Sequence, residues 1–143
     1  MNHQPPTPVI LFDGECALCQ RVVRGLLRLD GEARIRFAPL QGVAGQAFLR
    51  ARGLPTADFD SLVFVPDWDH AASGAYLMRT DGLIGALKVC GGIGAELAAI
   101  LAVCPTGWRD AGYRWVARSR HRIFGEWTPR PLARPEWASR FLL

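Results

Sequence analysis

Residues 10–27 read ILFDGECALCQRVVRGLL, and the hydrophobic period changes inside this stretch. Val9 to Phe12 form a short β-prone run, which Asp13 and Gly14 punctuate as a turn does. After Cys16, the residues Leu18, Cys19, Val22, Val23, Leu26 and Leu27 recur at helical spacing. Arg21, Arg24 and Arg28 fall on the opposite side. The stretch therefore reads as strand, tight turn and helix, with Cys16 at the helix start and Cys19 one turn in.

The remaining chain fixes the setting of this turn. With 143 residues, half of them hydrophobic and 21% charged, the chain suits one globular domain with its own core. Its net charge of +4 is uneven. Residues 1–104 hold nine basic and ten acidic residues, whereas residues 105–143 hold eight arginines against Asp110, Glu126 and Glu136. The opening MNHQPPTP has neither a basic n-region nor an apolar h-region, and the uncharged stretch Leu97 to Trp108 is too short to span a bilayer. These features lead to the expectation of a cytoplasmic protein, where thiols stay reduced. Four cysteines in that setting point to core residues, metal ligands or redox chemistry rather than a disulfide framework.

Further along, Ala33 to Leu40 alternate as a half-buried strand does, and Gln41 to Arg52 suit a helix ending at Gly53 and Pro55. Ser61 to Asp67 form a strand stopped by Pro66, and Ala75 to Thr80 can pair with it across a polar turn. Thr80 or Asp81 is expected to cap a helix through about Val89. Gly91, Gly92 and Gly94 are read as breakers before a helix over Ala95 to Val103. A longer helix follows from Trp108 to Phe124, with Tyr113, Val116, Ala117 and Phe124 on one face.

Strands joined by a helix should be parallel and strands joined by a short loop antiparallel. The expected fold is α/β: a thioredoxin-like, mixed four-stranded sheet in the order βαβα-ββ, with a helical C-terminal extension. One domain is expected over residues 8–125, with its core at 8–90 and the extension at 91–125. Residues 126–143 form a tail containing prolines and tryptophans.

Residues three apart on a helix have Cβ atoms about 5–6 Å apart, and a disulfide needs about 3.5–4.5 Å. A first helical turn can absorb that difference, so two such sulfurs can be bonded or free without unfolding the domain. Unpaired N–H groups and the positive dipole end favour a thiolate there, so Cys16 is expected to be exposed and to ionise below the ~8.5 of a free thiol. Cys19, shielded on the apolar face, can resolve a mixed disulfide. Asp13 can accept from the turn's N–H groups or move a proton to or from Cys19. Cys90 and Cys104 read as buried small hydrophobes.

With DGECALC after the first strand, the chain resembles the thiol-disulfide oxidoreductase DCC family, named for the pattern carried here by Asp13, Cys16 and Cys19. TDGLIGALKVCGG (80–92) is similar to the family's Ser-Asp-Ala helix, and WRDAGYRWVARSRHRIFG (108–125) to its arginine-rich ending. Thr80, Gly82 and His121 depart from the family's usual Ser, Ala and Tyr. The cis-proline usual in thioredoxin-like enzymes has one nearby candidate, Pro55, six residues before Ser61. The resemblance implies thiol-disulfide exchange as an activity class; the expected substrate is a protein or small-molecule thiol or disulfide, and no cofactor or metal is expected.

Other readings compete. Cys16 and Cys19 could be core fillers, or half of a zinc site, although structural zinc takes four ligands and His3, His70 and His121 stand singly. VILFDGE resembles the hhhhDxD strand of aspartyl phosphatases, but Glu15 replaces the second Asp and that reading leaves the cysteines unexplained. A non-catalytic binding module is the third. Arg114, Arg118, Arg120 and Arg122 lie along one helix with Trp115, as a solvated basic face does. No nucleic acid is expected as partner; a weak contact with an anionic membrane surface through Arg114, Arg118 and Arg122 is.

Overall fold

The computed structural model describes residues 7–14, 16–31, 34–56, 62–71, 73–123 and 140–142. Strand β1 (Val9–Phe12) leads into helix α1 (Ala17–Leu29), then β2 (Arg36–Pro39) and α2 (Val43–Ala51). Strand β3 (Val63–Val65), a single helical turn at Trp68–His70 and β4 (Leu77–Met78) follow. Helices α3 (Arg79–Cys90), α4 (Gly92–Val103) and α5 (Thr106–Ile123) complete the order. The sheet runs β2-β1-β3-β4, with β1 parallel to β2 and antiparallel to β3, and β3 antiparallel to β4. This is a mixed α/β fold with a four-stranded mixed sheet, consistent with the thioredoxin-like arrangement expected.

Strand β1 is buried along its whole length because it lies between two strands and both of its faces are covered. Its side chains alternate between two cores. Ile10 and Phe12 join Phe37, Phe64 and the apolar faces of α1 and α3 (Val23, Leu26, Leu27, Ile84, Leu87). Val9 and Leu11 face the other way, onto Ala38, Leu40, Val63 and Val65 with Phe48 and Leu49 of α2. The C-terminal end of β1 therefore points its turn, and the start of α1, to one edge of a tightly held centre.

The boundaries differ from expectation at three places. No loop separates β4 from α3: the helix starts at Arg79 with Met78 as its cap residue, so neither Thr80 nor Asp81 is the cap. Thr80 is instead buried in the first turn and donates to Asp110 Oδ1 at 3.4 Å. Asp81 remains in the first turn, where its charge suits the dipole. Helix α4 begins at Gly92, three residues before expectation. A Cβ on Gly94 would sit 2.8 Å from both Leu87 O and Cys90 Cβ, so this glycine lets α4 lie close against α3 rather than ending a helix. The break is at Gly91, whose φ of 69° is left-handed. Helix α5 starts at Thr106 and ends at Ile123, so Phe124 lies outside the described residues.

Tyr113 docks α5 as expected: its hydroxyl accepts the Leu62 N–H at 3.3 Å. The side chains of Val116 and Ala117 lie outside the described set, as do Ser61 and the tail tryptophans. Residues 140–142 of the tail are described. Leu142 N–H donates to Phe37 O at 2.7 Å, and Phe141 bridges to Phe37 at the edge of β2, its ring 6.1 Å from that of Phe12.

Candidate functional site

Asp13 and Gly14 make the turn between β1 and α1. Cys16 is the N-cap of α1, with extended backbone angles (φ −91°, ψ 121°). Its N–H donates to Asp13 O at 3.2 Å, and its carbonyl accepts the first helical hydrogen bond, from Gln20 N–H at 3.0 Å. Its Sγ accepts the Cys19 N–H at 3.4 Å. A cap side chain that accepts a first-turn N–H is the usual role of Ser or Asp, and here a sulfur fills it. Both cysteines are free thiols and share one core cluster.

The electrostatics separate the two sulfurs. The Cys19 thiol is pushed far up from its ordinary value, first by its hydrogen bond to the Cys16 sulfur and then by burial. The Cys16 sulfur and the Asp13 carboxylate add like-charge repulsion, which a backbone hydrogen bond from Asp13 only partly opposes. The neighbouring sulfur and burial therefore favour the protonated form of Cys19.

The exposure expected of Cys16 is a correction. It is 4% exposed and belongs to the core, although it does stand at the helix terminus. An N-cap on a buried central strand starts inside the protein, which periodicity alone does not reveal. Cys104 is corrected in the opposite direction: it is exposed, because it lies just past the last residue of α4. Cys90 is half-buried, and its thiol is pushed up to about 11, mainly by burial and then by Asp30.

Asp13 is buried, and its Oδ1 accepts from Gln41 Nε2 at 2.6 Å. The same amide accepts the Gly14 N–H through Oε1 at 3.0 Å. Gln20 Nε2 donates to Gly14 O at 2.9 Å. Gln41 and Gln20 thus hold the turn from two sides, and sequence reading missed both. Gln20 could have been noticed, four residues after the cap on the first full turn. Gln41 gave no local signal, standing 28 residues from Asp13.

Pro55 is exposed, and no cis peptide bond occurs among the described residues. Among those residues, no group of three or more His, Cys, Asp or Glu side chains is placed to hold a metal ion. Arg109 pairs with Asp81 at 3.1 Å, and Arg114, Trp115 and Arg118 are exposed on the outer side of α5. The side chains of Arg120 and Arg122 lie outside the described set. No helix among the described residues is long and apolar enough to cross a membrane.

The chain is 33% identical over 141 residues to the uncharacterized protein YuxK of Bacillus subtilis, covering 99% of this chain and 98% of that one. It is 31% identical over 118 residues to a chloroplastic DCC family protein of Arabidopsis thaliana, covering 82% of this chain and 65% of the plant protein. No solved structure is a significant match. The model of the DCC1-like thiol-disulfide oxidoreductases matches residues 10–126, from β1 past the end of α5, and the chain belongs to that family.

Proposed function

We propose that the protein exchanges thiols and disulfides through Cys16 and Cys19, with Cys16 attacking and Cys19 resolving. The observation that carries this reading is the asymmetry of the pair: the Cys16 sulfur caps α1 and accepts the Cys19 N–H, while Cys19 lies buried one turn in with its thiol pushed up. The family supports a thiol-disulfide redox role in general.

In the forward direction, the Cys16 thiolate attacks one sulfur of a substrate disulfide. A mixed disulfide forms, and the first substrate sulfur leaves as a thiolate that takes up a proton. The Cys16 sulfur then no longer holds the Cys19 proton, so the largest cause of the raised Cys19 value disappears. Asp13, in the same turn, takes that proton. The Cys19 thiolate attacks Cys16 Sγ and expels the second substrate thiolate. Two electrons pass from the dithiol to the substrate, and the reverse sequence oxidises a substrate dithiol. Because Cys16 is buried, each attack needs a local opening that admits the substrate sulfur.

Protein or small-molecule thiols and disulfides are the substrate class. We place the exchange in a thiol-reducing compartment such as the cytoplasm. The exposed Arg114 and Arg118 add a weak, salt-sensitive attraction for anionic surfaces.

Equilibration in glutathione buffers of graded ratio, followed by acid quench and thiol counting by mass spectrometry, tests the reading. Cys16 and Cys19 should lose their thiols together in one two-electron transition. Stepwise loss, or no loss across the accessible ratios, would refute it.

A further inference from the structure

Helix α4 is apolar yet largely exposed. Its sequence, GIGAELAAILAV, carries one charge, Glu96. It packs on α3 through a narrow stripe of Gly94, Ala98 and Leu101, the first two buried and the third half-buried. Away from that stripe, Ile93 is 67% exposed, Leu97 41%, Ile100 65% and Val103 84%. Ile93, Leu97 and Ile100 stand at i, i+4 and i+7, so they share one face. Beyond the short Cys104–Pro105 link, Trp108 is 77% and Trp115 63% exposed, two turns apart on one side of α5. Exposed apolar side chains gathered on a helix face, with exposed tryptophans on the next helix, mark a candidate site of interaction.

The neighbouring charges select the occupant. Arg118 lies one turn beyond Trp115 and Arg114 directly before it, both exposed. Arg109 and Arg140 are taken up by Asp81 and Asp30, so among the described residues Arg114 and Arg118 are the exposed cations of α5. Apolar residues flanked by tryptophan and arginine suit the boundary between acyl chains and anionic headgroups. A second copy related by a two-fold axis would instead bring the same arginine-bearing helix towards itself, where like charges repel. The 12 residues of α4 extend roughly 18 Å, well short of the ~30 Å of a hydrocarbon core.

We propose that the exposed face of α4 and the tryptophan face of α5 form a docking surface for an anionic lipid bilayer, lying in its interface without crossing it. The inference is independent of the redox reading, since it uses neither Cys16 nor Cys19. Insertion of the apolar face supplies the affinity, and Arg114 and Arg118 supply the preference for anionic lipid.

Flotation of the full chain with phosphatidylcholine vesicles, with and without phosphatidylglycerol, tests the proposal. The protein should float with the anionic vesicles and about tenfold less with the zwitterionic ones. Ile100→Asp with Val103→Asp should weaken flotation about tenfold or more and leave the thermal unfolding midpoint unchanged, because both positions are exposed. Arg114→Gln with Arg118→Gln should weaken it and flatten its salt dependence. Absence of flotation on anionic vesicles would overturn the proposal. So would full flotation of the aspartate variant, which would mean adhesion by charge alone. A dimer in sedimentation velocity that the aspartate variant abolishes would assign the face to a second copy and likewise overturn it.

Discussion

Replacing Arg140 with Met tests what holds α1, the helix that carries Cys16, in place. Asp30 is the C-cap of α1 and is 2% exposed. Its Oδ1 accepts the Arg34 N–H at 3.1 Å, and its Oδ2 the Ile35 N–H at 2.8 Å. Arg140, 4% exposed, pairs with the same Oδ2 and donates to Ile35 O from Nε at 3.2 Å and Nη2 at 3.1 Å. Burial works to lower the pKa of Arg140, and the Asp30 carboxylate works to hold its charge. Breaking a buried pair on one side costs about 3–5 kcal/mol, mostly from the charge left behind. In the Arg140→Met variant Asp30 keeps its two backbone donors, so the lower end applies, about 3 kcal/mol. That corresponds to a fall of roughly 10 °C in Tm for a chain of this size. Asp30→Asn leaves the guanidinium buried without a counter-ion, so its loss should be the larger. The double variant Asp30→Leu/Arg140→Met should not recover, because the N–H groups of Arg34 and Ile35 would then lack their acceptor, at about 1–3 kcal/mol each. Urea unfolding followed by far-UV circular dichroism, compared at equal slope, measures all of these. An Arg140→Met variant within ~0.5 kcal/mol of the parent, or a double variant as stable as the parent, would refute the reasoning.

Other expected outcomes follow from the site. Cys19→Ser should trap a mixed disulfide on Cys16 with a small disulfide substrate, and Cys16→Ser should trap none; intact-mass spectrometry distinguishes them, and equal trapping would reverse the assignment. Gln41→Leu removes both of its hydrogen bonds to the Asp13–Gly14 turn, so stability should fall by about 1 kcal/mol and thiol exchange should slow several-fold. An unchanged exchange rate would mean that the turn needs no such clamp. At pH 8 the exposed Cys104 should alkylate first and Cys90 slowly, since with a value of about 11 only about a thousandth of it is thiolate. For Cys90 the folded value is raised from 9.0 to about 11, so the unfolded chain loses its proton first. Stability from this group should therefore fall as pH rises through that window, which urea midpoints at either end would show.

The legible parts of the fold were those written in local pattern. The change of period at Asp13 located the turn and the helix, and the polar stretch after Pro66 joined β3 to β4. Reading failed where a residue's role depends on a distant neighbour. Gly94 looked like a helix breaker but is a packing glycine, because the atoms that exclude a Cβ belong to Leu87 and Cys90 of the adjoining helix. Thr80 looked like a cap, and its actual partner, Asp110, is on α5. Asp30 and Arg140 pair across 110 residues, a separation at which no periodicity signals contact. The burial of Cys16 is of the same kind. Its position at the helix start is local, while its surroundings are set by β1 lying in the middle of the sheet.

The arrangement of α1 explains why two sulfurs could change bonding without disturbing the sheet. Bringing Cβ atoms from helical i, i+3 spacing to disulfide spacing needs a movement of roughly 1–2 Å. Cys16 is the residue best able to supply it. As N-cap it has extended backbone angles, and its carbonyl accepts the first helical hydrogen bond, from Gln20 N–H. Its Sγ already turns towards the Cys19 backbone. The residues that must not move are anchored elsewhere: Val23, Leu26 and Leu27 in the core, Asp30 at the far cap, and the turn through Gln41 and Gln20. A movement confined to the cap leaves those contacts intact. Closing the disulfide would replace the Cys19 N–H···Sγ contact and the thiol hydrogen bond, both within the first turn.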